Sequence, residues 1–180
     1  MRITLLDTRQ HDRNGFTCGK PTLDAYLGEQ AGQHQRDGIT TTHVLIDDDH
    51  AASILGYCDL AAAQTNIGDL QPADRKRFPA YPVPAMRIDR LAASSEARGK
   101  GYGRLLLGHA MNCGMQLRIQ LGVKVVLVDA LNEQAASFAA LTASAKPQTA
   151  RSHCTCLWTR TDTAISQENA CPRCVCVARS

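Results

Sequence analysis

A glycine-rich turn, Arg98-Gly99-Lys100-Gly101-Tyr102-Gly103, joins an extended segment, Met86–Ala93, to Arg104–Leu117, which is apolar at helical spacing. A turn that opens a helix presents backbone N–H groups with no intrahelical acceptor, at the positive end of the helix dipole. Such a turn cradles phosphate, and Arg98, Lys100 and Arg104 add positive charge around it. The spacing excludes two familiar cradles. No Gly-x-x-x-x-Gly-Lys-Ser/Thr string occurs, Cys18-Gly19-Lys20-Pro21-Thr22 imitating only its end. A dinucleotide fingerprint needs Gly-x-Gly-x-x-Gly, whereas the glycines here stand at 99, 101 and 103. The pattern that fits is Arg/Gln-x-x-Gly-x-Gly/Ala, through Arg98, Gly101 and Gly103. The plain alternative is a surface turn that merely caps a helix.

The flanking chain predicts an α+β layout. Arg2–Leu6 reads as a strand, and Pro21–Ala31 as an amphipathic helix with Leu23, Tyr26, Leu27 and Ala31 on one side. Polar residues 32–38 end that helix. Thr40–Ile46 and Ile54–Leu60 read as strands around a turn at Asp47-Asp48-Asp49-His50. A charged helical connection is expected over 69–78, then a strand over 85–93 and a helix over 102–119. Val123–Val128 is a nearly continuous apolar run suited to a sheet centre, and Leu131–Phe138 begins a helix with Asn132 near its N-cap. At 180 residues, 44% apolar and 21% charged, the chain suits one soluble domain with a real core. A net charge of +3 permits an anionic partner without demanding one. No secretory signal or membrane-spanning run is read, so a cytoplasmic protein is expected.

In order along the chain, the motifs resemble the GNAT superfamily of N-acetyltransferases. More narrowly, they are similar to the acetyltransferase toxins of bacterial type II toxin–antitoxin systems. The residues that carry the resemblance are Phe16-Thr17-Cys18-Gly19 with Leu23, Tyr26 and Leu27; Leu55-Gly56-Tyr57; Pro79-Ala80-Tyr81-Pro82-Val83-Pro84; Asp89-Arg90-Leu91-Ala92; the glycine turn; and Val126–Asp129-Ala130. Coverage runs from about residue 3 to Phe138. The resemblance implies a GNAT fold, a mixed central sheet with flanking helices, over residues 1–140. It implies acetyl-CoA as cosubstrate, its pantetheine arm against Leu91, Ala92 and Ala93. The pyrophosphate would lie in the loop 98–104, on Arg98, Gly99, Lys100, Gly101, Tyr102, Gly103 and Arg104. It further implies acetyl transfer to the amine of aminoacyl-tRNA, inhibition of translation, a homodimer and a ribbon-helix-helix antitoxin. A basic face of Arg75, Lys76, Arg77, Arg87 and Arg90 would touch RNA phosphates, or be simply solvated.

The pattern then breaks. The family's acid for the departing thiolate is a tyrosine just after the last helix's Phe, and here Ala139 follows Phe138. The family's later Gly-Phe turn and final apolar strand are also missing, so the C-terminal strands are expected to be lost or aberrant. Residues 141–180 read as a disordered, cysteine-rich tail, a product of a displaced reading frame. Codons can be chosen for Leu141–Thr159 such that a frame displaced by two bases encodes DGFRETADRALTLYLPLD, both missing motifs in order. Two non-enzymatic or altered readings stay open: a remnant that binds CoA or an antitoxin without turnover, and an acetyltransferase acting on a small amine.

Other residues read more plainly. His153-Cys154-Thr155-Cys156 with Cys171, Cys174 and Cys176 has zinc-ligand types, but its Cys-x-Cys spacing is unusual, and no metal is expected. Cys18, Cys58 and Cys113 read as small hydrophobes. His11, His34, His43, His50 and His109 read as isolated surface or cap residues, and Asp47–Asp49 as a turn. Asp59 and Glu96 are candidate water-organising carboxylates.

Overall fold

The computed structural model describes residues 1–69, 75–76, 82–97, 99–129, 153–157 and 174–176. Two compact units divide the chain: Met1–Ala61 with Ile88–Ala110, and Ala62–Arg87 with Met111–Ser180.

The first unit opens with β1 (Arg2–Leu5), followed by α1 (Pro21–Ala25), a π-helical turn (Tyr26–Gln30) and α2 (Ala31–Arg36). β2 (Thr41–Ile46) follows, with parts of β3 (Ile54–Thr65) and β4 (Val83–Ala93) and the first turns of α3 (Tyr102–Leu121). The strands lie in the order β1-β2-β3-β4. β1 and β2 pair antiparallel with Leu5 opposite His43, and β2 and β3 likewise with His43 opposite Cys58.

Pro21 occupies the first turn of α1, where its missing N–H costs nothing. The helical run continues five residues past the expected Ala31, into the polar stretch that was expected to end it. The reason is that those polar residues have partners. Gln35 donates from Nε2 to Leu6 O at 2.8 Å and accepts from Thr42 N at 3.1 Å, fastening α2 to β2 and to the residue that follows β1. Gly32 is buried, and a Cβ there would come within 2.6 Å of Thr8 Cγ2.

Leu6, Phe16, Leu23, Tyr26, Leu27, Ala31, Val44, Ile46, Ile54, Tyr57 and Ala92 form the core of this unit. Tyr57 is its centre: edge-on to Phe16 at 5.6 Å, stacked on Tyr26 at 6.5 Å, and donating its hydroxyl to Leu23 O at 2.9 Å. Aromatic pairs of this kind contribute about 0.5–1.5 kcal/mol beyond area burial. On the opposite face of β3, Gly56 lets its neighbours close in. A Cβ at this position would stand 2.8 Å from Leu106 Cδ1 and 2.9 Å from Ala92 O.

In the second unit the order is β3-β4-β5-β6-β7, with β5 at Val125–Asp129, β6 at His153–Leu157 and β7 at Cys174–Cys176. β4 and β5 are neighbours joined through the 20-residue α3, the crossover that parallel neighbours require. β5–β6 and β6–β7 are antiparallel, so the sheet is mixed. Val83, Ala85 and Val125 pack with Ala63, Ile67 and Leu127, and Lys124 N donates to Pro84 O at 3.0 Å.

β6 and β7 fall inside residues 141–180, the stretch expected to be a structureless tail. The other residues of that stretch lie outside the described residues, and so does the expected disorder. The helix expected over 131–138 also lies outside them, as does most of the connection expected over 69–78. Among the described residues no helix is long and apolar enough to cross a membrane.

Gly56→Val should lower the unfolding free energy by about 1–3 kcal/mol, since the β-branched side chain meets strand backbone that cannot move aside. Urea denaturation measures this; an unchanged midpoint and slope would contradict the close approach.

Candidate cofactor site

β4 delivers the chain to the glycine turn with its end held on two sides. Ser94 N donates to Leu55 O at 2.9 Å, continuing the ladder with β3. Ser95 then donates to Thr17 O from its amide at 2.9 Å and from its hydroxyl at 3.3 Å. The Phe16–Gly19 loop is itself fixed by Asp24, whose carboxylate accepts Cys18 N at 2.9 Å, the Cys18 thiol at 3.0 Å and the Thr17 hydroxyl at 2.9 Å. Burial, with the Asp24 bond next, pushes the Cys18 thiol up to about 11, so it stays protonated and is no nucleophile. The Phe-x-Cys-Gly motif is thus a brace for the end of β4. Asp24 was missed from sequence; an acid in the first turn of α1 was the available signal.

Strand geometry sets the direction of the β4 backbone. Successive residues turn their N–H and C=O groups to opposite edges. Ser94 N and Ala92 O face β3, which aims the backbone groups of Leu91 and Ala93 at the other edge.

After a 3₁₀ turn at Ser95–Ala97, Gly99 and Gly101 adopt φ of 81° and 77°. A Cβ at either would meet nothing within 4 Å, so the glycines answer to dihedral rather than space. Gly101 O accepts Arg104 N at 3.0 Å and Leu105 N at 3.1 Å, closing the first turn of α3. The amides of Tyr102 and Gly103 precede that turn, where a helix leaves its donors to an external acceptor. Lys100 and Arg104 are exposed, Gly103 is half-buried and Tyr102 is buried. A cavity of about 140 Å³ lies beside the turn, lined by Thr17, Leu55, Ser94, Glu96, Lys100 and Tyr102 among others. The fold therefore brings together Lys100, Gly101, Tyr102, Gly103 and Arg104; Arg98 lies outside the described residues, as does Ala139.

The expected basic face fares differently. Arg90 is turned inward: its guanidinium lies 3.6 Å over the Tyr26 ring, with Nη1 3.7 Å from Asp59 Oδ2. Arg75 donates to Gly68 O at 2.8 Å, Lys76 is exposed, Arg87 is half-buried in β4, and Arg77 lies outside the described residues. Asp59, offered as a water-organising carboxylate, is fully buried on β3. Its Oδ1 accepts the Thr42 hydroxyl at 2.6 Å, and Oδ2 has no hydrogen bond among the described residues. Burial raises the Asp59 pKa, against the lowering influence of the Thr42 bond and the Arg90 charge. Glu96, the other candidate, is exposed at the cavity wall. In the Asp47–Asp49 turn, Asp48 binds the N-terminal ammonium at 2.6 Å. His43 and His109, read as isolated, meet in the fold, and Tyr26 bonds His34 at 3.2 Å.

Residues 6–141 match the family described as Acetyltransferase (GNAT) family. The chain belongs to that family. A tRNA-acetylating toxin of Mycobacterium tuberculosis (strain ATCC 25618 / H37Rv) is 30% identical to this GNAT protein over 127 residues, 71% of this chain and 74% of the relative. Among solved structures, AtaT complexed with acetyl-methionyl-tRNAfMet is similar, with a TM-score of 0.71 and 27% identity over 76% of this chain and 82% of that one. A mutant AtaT toxin bound to acetyl-CoA and the C-terminus of the antitoxin AtaR is similar too. Its TM-score is 0.65 and its identity 26%, over 76% of this chain and 79% of that chain. As a GNAT acetyltransferase, the protein has acetyl-CoA as its acetyl donor.

The buried carboxyl gives a signed pH effect. Because its folded pKa is raised, Asp59 supports the fold best below its unfolded pKa of about 3.9, and that support declines as pH rises through the higher folded value. Asp59→Asn keeps an oxygen for the Thr42 hydroxyl and removes the titration. Thermal midpoints of both proteins between about pH 4 and 7 should show the variant gaining relative to the native protein as pH rises. A constant difference across that range would contradict the raised pKa.

Proposed function

We propose that this protein is a toxin-type N-acetyltransferase that moves the acetyl group of acetyl-CoA onto the α-amine of an aminoacyl-tRNA. The observation that carries the reading is the geometry around the glycine turn. Positive-φ glycines at 99 and 101 open α3 beside a strand whose Leu91 and Ala93 backbone groups face away from β3. The pyrophosphate would accept from Tyr102 and Gly103 amides, with Arg98, Lys100 and Arg104 balancing its charge. The pantetheine amides would pair with Leu91 and Ala93 as an added strand pairs with a sheet edge, Ala92 forming the floor between them.

In the reaction, the lone pair of the neutral amine attacks the thioester carbonyl carbon. The tetrahedral intermediate collapses with cleavage of the C–S bond, and the CoA thiolate takes up one proton while the new amide nitrogen loses one. The usual donor position is Ala139, which has no proton to give. That residue favours a second reading for this polypeptide: a remnant that binds CoA or an antitoxin without turnover.

The mycobacterial relative's name and the acetyl-methionyl-tRNAfMet complex support a charged tRNA as acceptor over a small amine. Arg75, Lys76, Arg77 and Arg87 are the cations proposed to meet its phosphates, each contact adding to the salt dependence of binding. Arg90 would act there only indirectly, through Tyr26. The antitoxin-bound neighbour supports an antitoxin partner. We further propose that this partner is of the ribbon-helix-helix type, and that the protein acts as a homodimer in the cytoplasm, where charged tRNA is found. The one-domain reading of 1–140 and the displaced-frame origin of 141–180 belong to the same proposal. β6 lies at the chain position where, with the codons chosen above, the displaced frame would read Leu-Tyr-Leu-Pro.

Calorimetric titration of acetyl-CoA, paired with acetylation of charged tRNA, tests the proposal. The native chain should bind acetyl-CoA but turn over at least about 100-fold more slowly than a version carrying both Ala139→Tyr and the displaced-frame tail, the usual worth of a general acid. Equal turnover by both chains would remove the need for that tyrosine. Binding without turnover by either would leave the remnant reading.

A further inference from the structure

His43 on β2 and His109 on α3 bring their rings together, with His43 Nδ1 2.9 Å from His109 Nε2. The ring centroids are 4.6 Å apart and the planes inclined by 56°. Nothing in the acetyl transfer or the cofactor site calls on this pair. Two imidazoles at that distance share one N–H between two nitrogens, so each ring directs one nitrogen at the other. Both rings are half-buried, and burial lowers both pKa values, that of His43 to about 4 with the His109 charge contributing next. At neutral pH both are therefore uncharged, the form in which imidazole ligates metal.

We propose that His43 Nδ1 and His109 Nε2 form a binding site for a divalent transition metal of the zinc class. Two imidazole nitrogens at about 2.0–2.1 Å from one tetrahedral ion stand about 3.3 Å apart, so the pair opens by about 0.4 Å and both rings turn toward the ion to admit it. The ring that donates the shared proton moves that proton to its other nitrogen, a tautomer change with no net proton release. Both ligands stand on regular elements, a strand and a helix, which holds the donor atoms in place. On α3, Cys113 follows His109 by four residues and so shares its helix face, a spacing that suits a further ligand. Such an ion would tie the helix that opens on the cofactor turn to the strand β2.

The test titrates zinc into the full native chain and into His43→Gln and His109→Gln, tail cysteines retained in all three. The native chain should bind one more equivalent than either variant. Zinc at about 100 times its Kd should raise the native thermal midpoint by about 5 °C or more beyond any rise in the variants. Retained acetyl-CoA binding certifies that each variant folds. A second measurement needs no variant: long-range ¹⁵N–¹H spectra of the native chain, which has six histidines, should show the His43 and His109 rings shift on zinc addition. Equal zinc equivalents in all three folded proteins, or native spectra in which those two rings do not respond, would overturn the site.

Discussion

The close approach at Gly56 governs the geometry on which the cofactor site depends. With no side chain on that residue, the Ala92 carbonyl and the Leu106 methyl come to distances that a Cβ would forbid. β4 therefore lies hard against β3 up to Ser94, and the first turns of α3 rest on the same spot. The consequences run outward from there. The β4 backbone acquires a fixed alternation, Ala92 and Ser94 toward β3 and Leu91 and Ala93 away from it. The turn that follows needs two positive dihedrals to swing the chain into α3, and glycine supplies them at 99 and 101. Rigid packing thus aims the helix's opening amides, which is what a diphosphate site requires before any charged side chain is counted.

On the other face of β3 the same strand carries a polar interior. Asp59, Thr42, Arg90 and Tyr26 form a chain of contacts beneath the α1–α2 helices, with Tyr57 beside them in the apolar core. The Arg90 guanidinium lies over an aromatic ring and near a carboxylate, an arrangement in which Lys could not replace it, lacking the planar group that stacks. Among the described residues Asp59 Oδ2 has no hydrogen bond, and the Arg90 Nη1 lies 3.7 Å from it; a fully buried carboxyl so placed destabilises the fold unless it is neutral or paired.

Much of this was legible in the sequence because it is local. The glycine turn, the proline that starts α1 and the Leu-Gly-Tyr strand each carry their backbone requirement in adjacent residues. The strand limits were less legible: β3 runs five residues past the expected Leu60, through Ala61-Ala62-Ala63-Gln64-Thr65, whose composition carries little strand signal. The polar residues of α2 were mistaken for a helix stop, since the bonds of Gln35 go to Leu6 and Thr42, 29 and 7 residues away in the chain. The same distance hid the Arg90–Asp59 contact and the meeting of His43 with His109, 66 residues apart. Charged residues read along the chain look exposed; only the fold reveals which of them turn inward. Strands β6 and β7, in a stretch with no apolar period, had no sequence signal at all.

Membership of the GNAT family and the turn at the head of α3 support the central proposal, that the diphosphate of acetyl-CoA binds the opening amides of that helix. Amide hydrogen exchange of the native chain with and without saturating acetyl-CoA tests it most directly. Slowed exchange concentrated at Gly101, Tyr102 and Gly103, with Leu91 and Ala93 slowed alongside, is the expected result. Saturable binding that leaves those amides exchanging at their free rates would contradict it.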